Sequence, residues 1–198
     1  MKETEWSRKF QVGPSRFEYE SKFLNDGFHL EADDLITRWP NLTSAERHDF
    51  ALAFQCKSGL STNDERILTF LMQNGDEIVW MTIASMLCRH SDRESVIHFL
   101  LERIEKSSKS RTNYYQAIEI LGDSRFLHVL EPQFESLQES MSVVKDTHDD
   151  YKTELEFIQL CRILWILTND HRYEGAIRMF SNHRMEFVRQ RVNQLLER

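Results

Sequence analysis

Between residues 43 and 139 the apolar side chains recur every three or four positions, the spacing of an α-helix that buries one face. Thr43 with Glu46, and Thr62 with Glu65, have the spacing of capping boxes. In a capping box the hydroxyl and the carboxylate accept from free amide groups at the start of a helix. An apolar run follows each of these patterns, so the sequence predicts a first pair of helices.

Capping and turn residues predict two further pairs of helices downstream. Asp76 and Asp92 each precede a periodic apolar run, and aspartate is favoured as an N-cap. The stretch Gly122–Ser124 predicts the turn inside the third pair. Pro132 removes a hydrogen bond from the helix that follows, so we expect that helix to bend or to start afresh there.

The three pairs share an internal period. Ala51, Ala84 and Ala117 lie 33 residues apart. Large apolar residues recur at nearly the same interval, namely Phe54, Leu87 and Leu121. A small side chain at an equivalent position lets neighbouring helices approach closely, which favours stacking of successive pairs.

The segment Asp76–Leu87, followed by Asp92 and the apolar positions of 96–104, resembles a HEAT-like repeat. Residues 116–123 resemble the first helix and corner of the next repeat, and the resemblance covers about residues 43–139. It implies an all-α fold, a right-handed alpha-alpha superhelix (alpha-solenoid) of about four to five HEAT-like helix pairs.

The C-terminal part is helical by the same criteria. After a polar segment at 138–150, the stretch Tyr151–Leu167 is apolar nearly all round, which predicts a deeply buried helix. A short helix is predicted over Tyr173–Phe180 and an amphipathic one from Met185 to the C-terminus.

The first 40 residues depart from the repeat, and their apolar pattern suits either a strand or a helix. They form the predicted segment 1–40, irregular and packed on the first pair, ahead of a HEAT-like helical repeat domain at 41–198. An aromatic arm that grips a partner is the alternative. The aromatic residues concerned are Trp6, Phe10, Phe17, Tyr19, Phe23 and Phe28.

Composition narrows the class of protein. Six glycines and three prolines in 198 residues are too few for the turns of a sandwich or barrel. The formal charge of -7 disfavours nucleic acid as a partner, because phosphate backbones are repelled. The charged N-terminus and the absence of a long apolar run predict a cytoplasmic protein with no membrane contact.

The sequence contains few candidates for catalytic residues. Nucleophile elbows and phosphate-binding glycine loops are missing from the sequence, and Cys56, Cys88 and Cys161 lie in apolar helical stretches where we expect buried, reduced thiols. The sequence therefore predicts a protein that is no enzyme, with no catalytic residue, metal site or cofactor.

Two arrangements leave a cation open as an alternative. Glu94 and His98 stand four residues apart on one helix, although a simple surface pair explains them as well. His148, Asp149 and Asp150 form a dense group of ligand-type side chains. Capping of the helix at Tyr151 also accounts for those aspartates.

A stack of helix pairs leaves the polar faces of its second helices free to bind. That reasoning predicts a partner-binding surface made of Glu94, His98, Glu102, His128, Glu131, Glu135 and Gln138. Acidic residues also dominate 131–156, so the expected partner is a protein with a basic surface.

The predicted function is a protein-binding scaffold or inhibitor, of which a bacterial immunity-type protein that neutralises a toxin is one form. A HEAT-like DNA-binding or DNA glycosylase-type protein is the first alternative. A metal- or tetrapyrrole-handling helical enzyme is the second.

Overall fold

The structure is a computed structural model and describes residues 31–57, 59–107, 111–143 and 151–197. Those residues form ten α-helices and two short 3-10 helices, and they contain no strand, which confirms the all-α class. The chain divides into two compact units, the first ending at Val96 and the second beginning at Ile97.

The first unit contains α1 (Ala32–Arg38), a 3-10 turn (Trp39–Asn41), α2 (Ser44–Phe54), α3 (Thr62–Asn74) and α4 (Glu77–Leu87). The boundary between the units falls within α5 (Arg93–Lys106). The second unit continues with α6 (Thr112–Leu121), a 3-10 turn (Ser124–Phe126), α7 (Leu127–Val143), α8 (Tyr151–Thr168), α9 (His171–Arg178) and α10 (Glu186–Leu196).

The first predicted capping box is present, since Thr43 and Glu46 close it at the start of α2. The second prediction was wrong by one residue, because Ser61 and Asp64 form the box and α3 starts at Thr62. The Glu65 carboxylate instead accepts from the backbone and hydroxyl of Ser91 at 2.9 and 2.8 Å. Glu65 therefore makes a long-range contact with Ser91 and not the local capping contact that the sequence predicted.

The other start and stop signals mostly hold. Asp76 accepts from two amides at the start of α4, and Asp92 accepts from the amide of Ser95 at 3.1 Å. Gly122 ends α6 with φ at 61°, the left-handed region that favours glycine. The expectation of a fresh start at Pro132 was wrong, because α7 begins at Leu127 and runs through the proline.

Helices two apart along the chain lie side by side in the first unit. α1 packs on α3 in the same direction, since Arg66 pairs with Asp33 near their starts and the Trp39 indole donates to the carbonyl of Asn74 at their ends. α2 packs on α4, and Ala51 and Ala84 are both fully buried. The small residues of the internal period are therefore core residues.

The second unit is organised around α8, which contacts α6, α7, α9 and α10. All eight residues from Phe157 to Leu164 are buried, as the all-round apolar pattern predicts. α6 and α8 run in the same direction, because Arg111 pairs with Glu156 near their starts and Glu119 lies 3.6 Å from Arg162 further along. Ala117 of α6 is fully buried.

Of the predicted N-terminal segment, residues 1–30 lie outside the described residues, and the remainder contributes α1 and most of the following 3-10 turn. The predicted polar separator at 138–150 is helical as far as Val143, and its residues 144–150 are also outside the described part. Within the described ranges, no helix combines the length and apolar character needed to cross a membrane.

Candidate functional site

The first three predicted contact residues form the α5 stripe, defined as Glu94, His98 and Glu102. They are four residues apart, so they share one face of the helix. Glu94 and His98 are exposed and Glu102 is half-buried. Glu102 accepts from Lys106 at 2.9 Å and lies 3.5 Å from Arg103, and the Lys106 hydrogen bond lowers the pKa of its carboxyl.

The remaining four form the α7 stripe, defined as His128, Glu131, Glu135 and Gln138. Their spacing of three and four residues also places them on one helix face. Glu131 is half-buried and 3.9 Å from Arg172 of α9, whereas the other three are exposed. Glu135 has no ion-pair partner among the described residues, so its charge is available for an external contact.

Two of the acidic residues that the sequence places at 131–156 have internal partners, and residues 144–150 of this stretch lie outside the described part. Arg111 lies 3.4 Å from Glu156 in an ion pair, and His183 Nε2 lies 3.0 Å from Glu154 Oε2. Both of these carboxylates are internal contacts of the second unit. Among the described residues of 131–156, the exposed carboxylates are those of Glu135 and Glu139 on α7.

Three arginines near the C-terminus also have partners within the second unit. Arg191 donates to the Gln159 side chain at 2.6 Å, and Arg189 donates to the carbonyl oxygens of His183 and Arg184. Arg178 pairs with Glu174 at 2.5 Å. The main contacts of these arginines are therefore with side chains and loop carbonyls.

A buried polar cluster lies between α6, α8 and α10, and sequence reasoning missed it. Gln159 is 1% and Arg162 is 6% exposed, although both sit in the apolar stretch of α8. The Gln159 amide donates to Glu119 at 2.7 Å, and the Arg162 guanidinium also lies over the Trp165 ring. Two polar residues inside an otherwise buried helix face were the signal that could have revealed it.

The first unit has a groove of about 420 Å³ that the sequence did not indicate. It runs along α3, with one residue from α1 and one, His90, from the loop between α4 and α5. The lining residues are Ile36, Thr62, Glu65, Arg66, Thr69, Phe70, Gln73 and His90.

His90 is fixed at one end of this groove by three contacts. Its Nδ1 accepts from the backbone amide of Asp92 at 3.0 Å. Its Nε2 lies 2.9 Å from the Thr69 hydroxyl and 3.2 Å from the carbonyl oxygen of Glu65. Because Nδ1 accepts, Nε2 carries the ring proton and donates, so His90 is held as a structural residue.

The described residues contain no cluster of side chains that matches a metal site. Among the described residues, no three histidine, cysteine or carboxylate side chains come together, and His148, Asp149 and Asp150 lie outside that part. Glu94 and His98 are both exposed on α5 without a third ligand-type group.

The three cysteines differ in their surroundings, which partly corrects the expectation of buried thiols. Cys161 is buried, and burial strongly raises the pKa of its thiol. Cys56 and Cys88 are half-exposed, and partial burial raises the pKa of Cys88 as well. A raised pKa reduces the thiolate fraction, so Cys161 and Cys88 are poor nucleophiles near neutral pH.

Comparison of the chain with protein-family models, with curated proteins and with solved structures finds no match.

Proposed function

We propose that this protein is a binding module for another protein, and that the α7 stripe contacts a basic surface of that partner. The observation that carries the proposal is the exposed, unpartnered carboxylate of Glu135 among the described residues, on a helix face shared with Glu131 and two exposed polar residues. Such a face can form charge-assisted hydrogen bonds with lysine or arginine.

Charge supports the same kind of partner. The net charge of -7 favours the approach of a basic protein over long distances, and exposed carboxylates on α7 give that attraction a local target. Glu131 lies 3.9 Å from Arg172. An arginine of the partner could replace Arg172 at this carboxylate with the same kind of contact. The α5 stripe also presents the exposed side chains of Glu94 and His98.

We further propose that the helices belong to a HEAT-like superhelix. Support comes from the parallel neighbours α1 and α3, and α6 and α8, since alternate helices run parallel when successive hairpins stack. An inhibitor that neutralises a basic toxin, acting in the cytoplasm, is one form that such a module takes.

The DNA-binding alternative has weaker physical support. Arg189 and Arg191 already donate to internal acceptors, so they are poorly placed to neutralise phosphates. An acidic helix face next to a duplex would add repulsion.

The test is a paired charge reversal on the full chain. Wild-type protein and the double variant Glu131→Lys/Glu135→Lys are used as baits in native host extract, and bound proteins are quantified by mass spectrometry. We expect a stoichiometric basic partner that the variant loses. With the purified partner, the association rate of wild-type protein should fall as salt rises, because screening weakens steering.

The matched control is Glu186→Lys/Glu197→Lys, which changes the net charge equally at two exposed positions of the C-terminal helix region. It should retain the partner. Equal capture by the α7 variant and by wild-type protein would remove the α7 stripe from the interface. Retention of duplex DNA by the wild-type bait, with no protein partner, would favour the nucleic-acid alternative instead.

A further inference from the structure

The buried cluster of the second unit carries more positive than negative charge. It joins Glu119 of α6, Gln159 and Arg162 of α8, and Arg191 of α10. Two of these side chains are guanidinium groups and one is a carboxylate, and Arg191 makes no ion pair within the described part of the chain. Positive charge that is withdrawn from water is costly unless an anion balances it, so the cluster is one negative charge short.

Arg162 is buried, and its N–H donors lack hydrogen-bond acceptors among the described residues. The residue is 6% exposed, and its Nε is fully enclosed without a hydrogen bond. The Glu119 carboxylate lies 3.6 Å from this Nε, which is too far for a hydrogen bond. A guanidinium has five N–H donors, and buried polar groups almost always have partners. The unused donors of Arg162 therefore indicate an external acceptor.

The polar side chains next to Arg162 are hydrogen-bonded to other members of the cluster. Glu119 Oε2 accepts from the Gln159 amide at 2.7 Å, and Gln159 Oε1 accepts from Arg191 at 2.6 Å. A rotation of Glu119 or Gln159 towards Arg162 would break one of these bonds. A small rearrangement inside the cluster would therefore leave another group without its partner, and it would not remove the deficit of acceptors.

Trp165 holds the guanidinium of Arg162 by one face. The guanidinium carbon lies 5.3 Å from the centroid of the indole ring, in a cation–π contact. Stacking of this kind uses the face of the planar group and leaves the N–H bonds along its edge able to donate. Nε is enclosed, whereas the two Nη groups reach the surface within the 8% of the side chain that is exposed. A ligand can therefore approach along the Nη edge.

We propose that the Nη edge of Arg162 binds one oxyanion group, either a carboxylate or a phosphate. A guanidinium binds such a group through two parallel N–H···O bonds, and its geometry suits both chemistries. One bound anion would use donors that are otherwise unpaired and would balance the excess charge of the cluster. The contacts with Trp165 and Glu119 already fix the guanidinium, so little freedom is lost on binding. The site does not involve the α7 stripe and is independent of the partner proposed for it.

Nuclear magnetic resonance of the isotope-labelled full chain tests the site directly. The Nε–Hε signal of Arg162 is followed, since its enclosed proton is protected from exchange with water, and the signal is identified by its loss in Glu119→Leu/Arg162→Met. Sodium phosphate and sodium acetate are titrated separately at constant ionic strength. We expect the signal to shift and to saturate, with half-saturation on the order of 1–10 mM for a single bidentate contact.

The two arms of the titration distinguish the source of the oxyanion. Saturation with phosphate alone would identify a phosphoryl group as the ligand, and saturation with acetate alone a carboxylate. A shift that stays linear in both arms would overturn the proposal, because it would mean that water satisfies the donors of Arg162. This titration uses the wild-type protein, so it does not depend on how well a variant folds.

Thermal unfolding gives a second measurement. At about ten times the half-saturating concentration, the anion should raise the Tm of the wild-type protein by about 3–6 °C relative to sodium chloride of equal ionic strength. The rise should be lost in Glu119→Leu/Arg162→Met. Arg125→Met is the matched control and should keep it, because Arg125 is exposed and pairs with Asp123 at 2.9 Å in the same unit. An equal rise in the double variant would also overturn the proposal, since general stabilisation by excluded salts does not need Arg162.

Discussion

The Lys57 ammonium donates to the Asp64 carboxylate, which also accepts from the Ser61 backbone and hydroxyl at 2.9 and 2.8 Å. One buried carboxylate thus caps α3 and also holds Lys57, which lies shortly after the end of α2. Burial alone would raise the pKa of Asp64, but the hydrogen bonds from Lys57 and Ser61 outweigh that effect, so its pKa lies below the ordinary value.

Replacement of this carboxylate should destabilise the first unit. Asp64→Asn removes the charge that Lys57 contacts and weakens the cap, and we expect a loss of about 1–3 kcal/mol in the free energy of unfolding at pH 7. Urea unfolding followed by tryptophan fluorescence measures the change. The exposed Asp34→Asn substitution in α1 is the control and should have little effect.

The stabilisation that Asp64 provides should depend on pH. Because the folded pKa of Asp64 is depressed, its contribution is complete above the unfolded pKa of about 3.9 and is lost as pH falls through the folded pKa. The stability difference between wild type and Asp64→Asn should therefore stay constant from about pH 8 to pH 5 and shrink below about pH 4. A difference that vanishes between pH 7 and pH 5 would show that the ion pair is not its source.

Two glycines should respond to alanine in opposite directions. A Cβ at Gly75 would lie 2.7 Å from the Leu71 carbonyl oxygen and 2.8 Å from Trp80 Nε1, so the indole would have to move and lose its hydrogen bond to Leu71. We expect Gly75→Ala to cost about 1–3 kcal/mol. Gly175 lies inside α9 with open space around it, so Gly175→Ala should stabilise by about 0.5–1 kcal/mol. Thermal unfolding of both variants measures the contrast, and a loss of stability in each would contradict it.

The buried cluster of the second unit should show strong coupling between Glu119 and Arg162. Glu119→Leu leaves the Arg162 guanidinium buried without its carboxylate, and we expect a loss of about 3 kcal/mol. Arg162→Met is the second single change. The double variant Glu119→Leu/Arg162→Met removes both charges and should recover most of that loss. A double-mutant cycle by urea unfolding measures the coupling. Additive effects of the two single changes would indicate that the pair contributes little.

Thiol labelling should separate the three cysteines. Cys56 and Cys88 are half-exposed, so a disulfide-exchange reagent should modify them in the native protein at mildly alkaline pH. Cys161 is buried with a raised pKa and should react only after α8 is released by denaturant. Mass spectrometry of labelled peptides measures the order. Early labelling of Cys161 would mean that the core of the second unit opens readily.

The order and bounds of most helices follow from the sequence, because caps and apolar periodicity act over three or four residues. Asp76 needs only the two amides that follow it, and α8 begins at Tyr151 as its pattern predicts. The burial of Ala51, Ala84 and Ala117 follows in the same way from their recurrence on apolar helix faces.

Long-range partners were decided by the tertiary structure alone. The sequence pattern predicted that Glu65 caps the start of its own helix. In the folded protein Glu65 accepts from Ser91 instead, and Asp64 caps that helix. Glu156 belongs to the acidic stretch that the sequence assigned to a partner surface, whereas Arg111 pairs with it inside the second unit. The groove beside Ile36 likewise exists only once α1 and α3 are packed. Local hydrogen bonds are encoded by neighbours in the chain, but the pairing of distant charges depends on which helices meet.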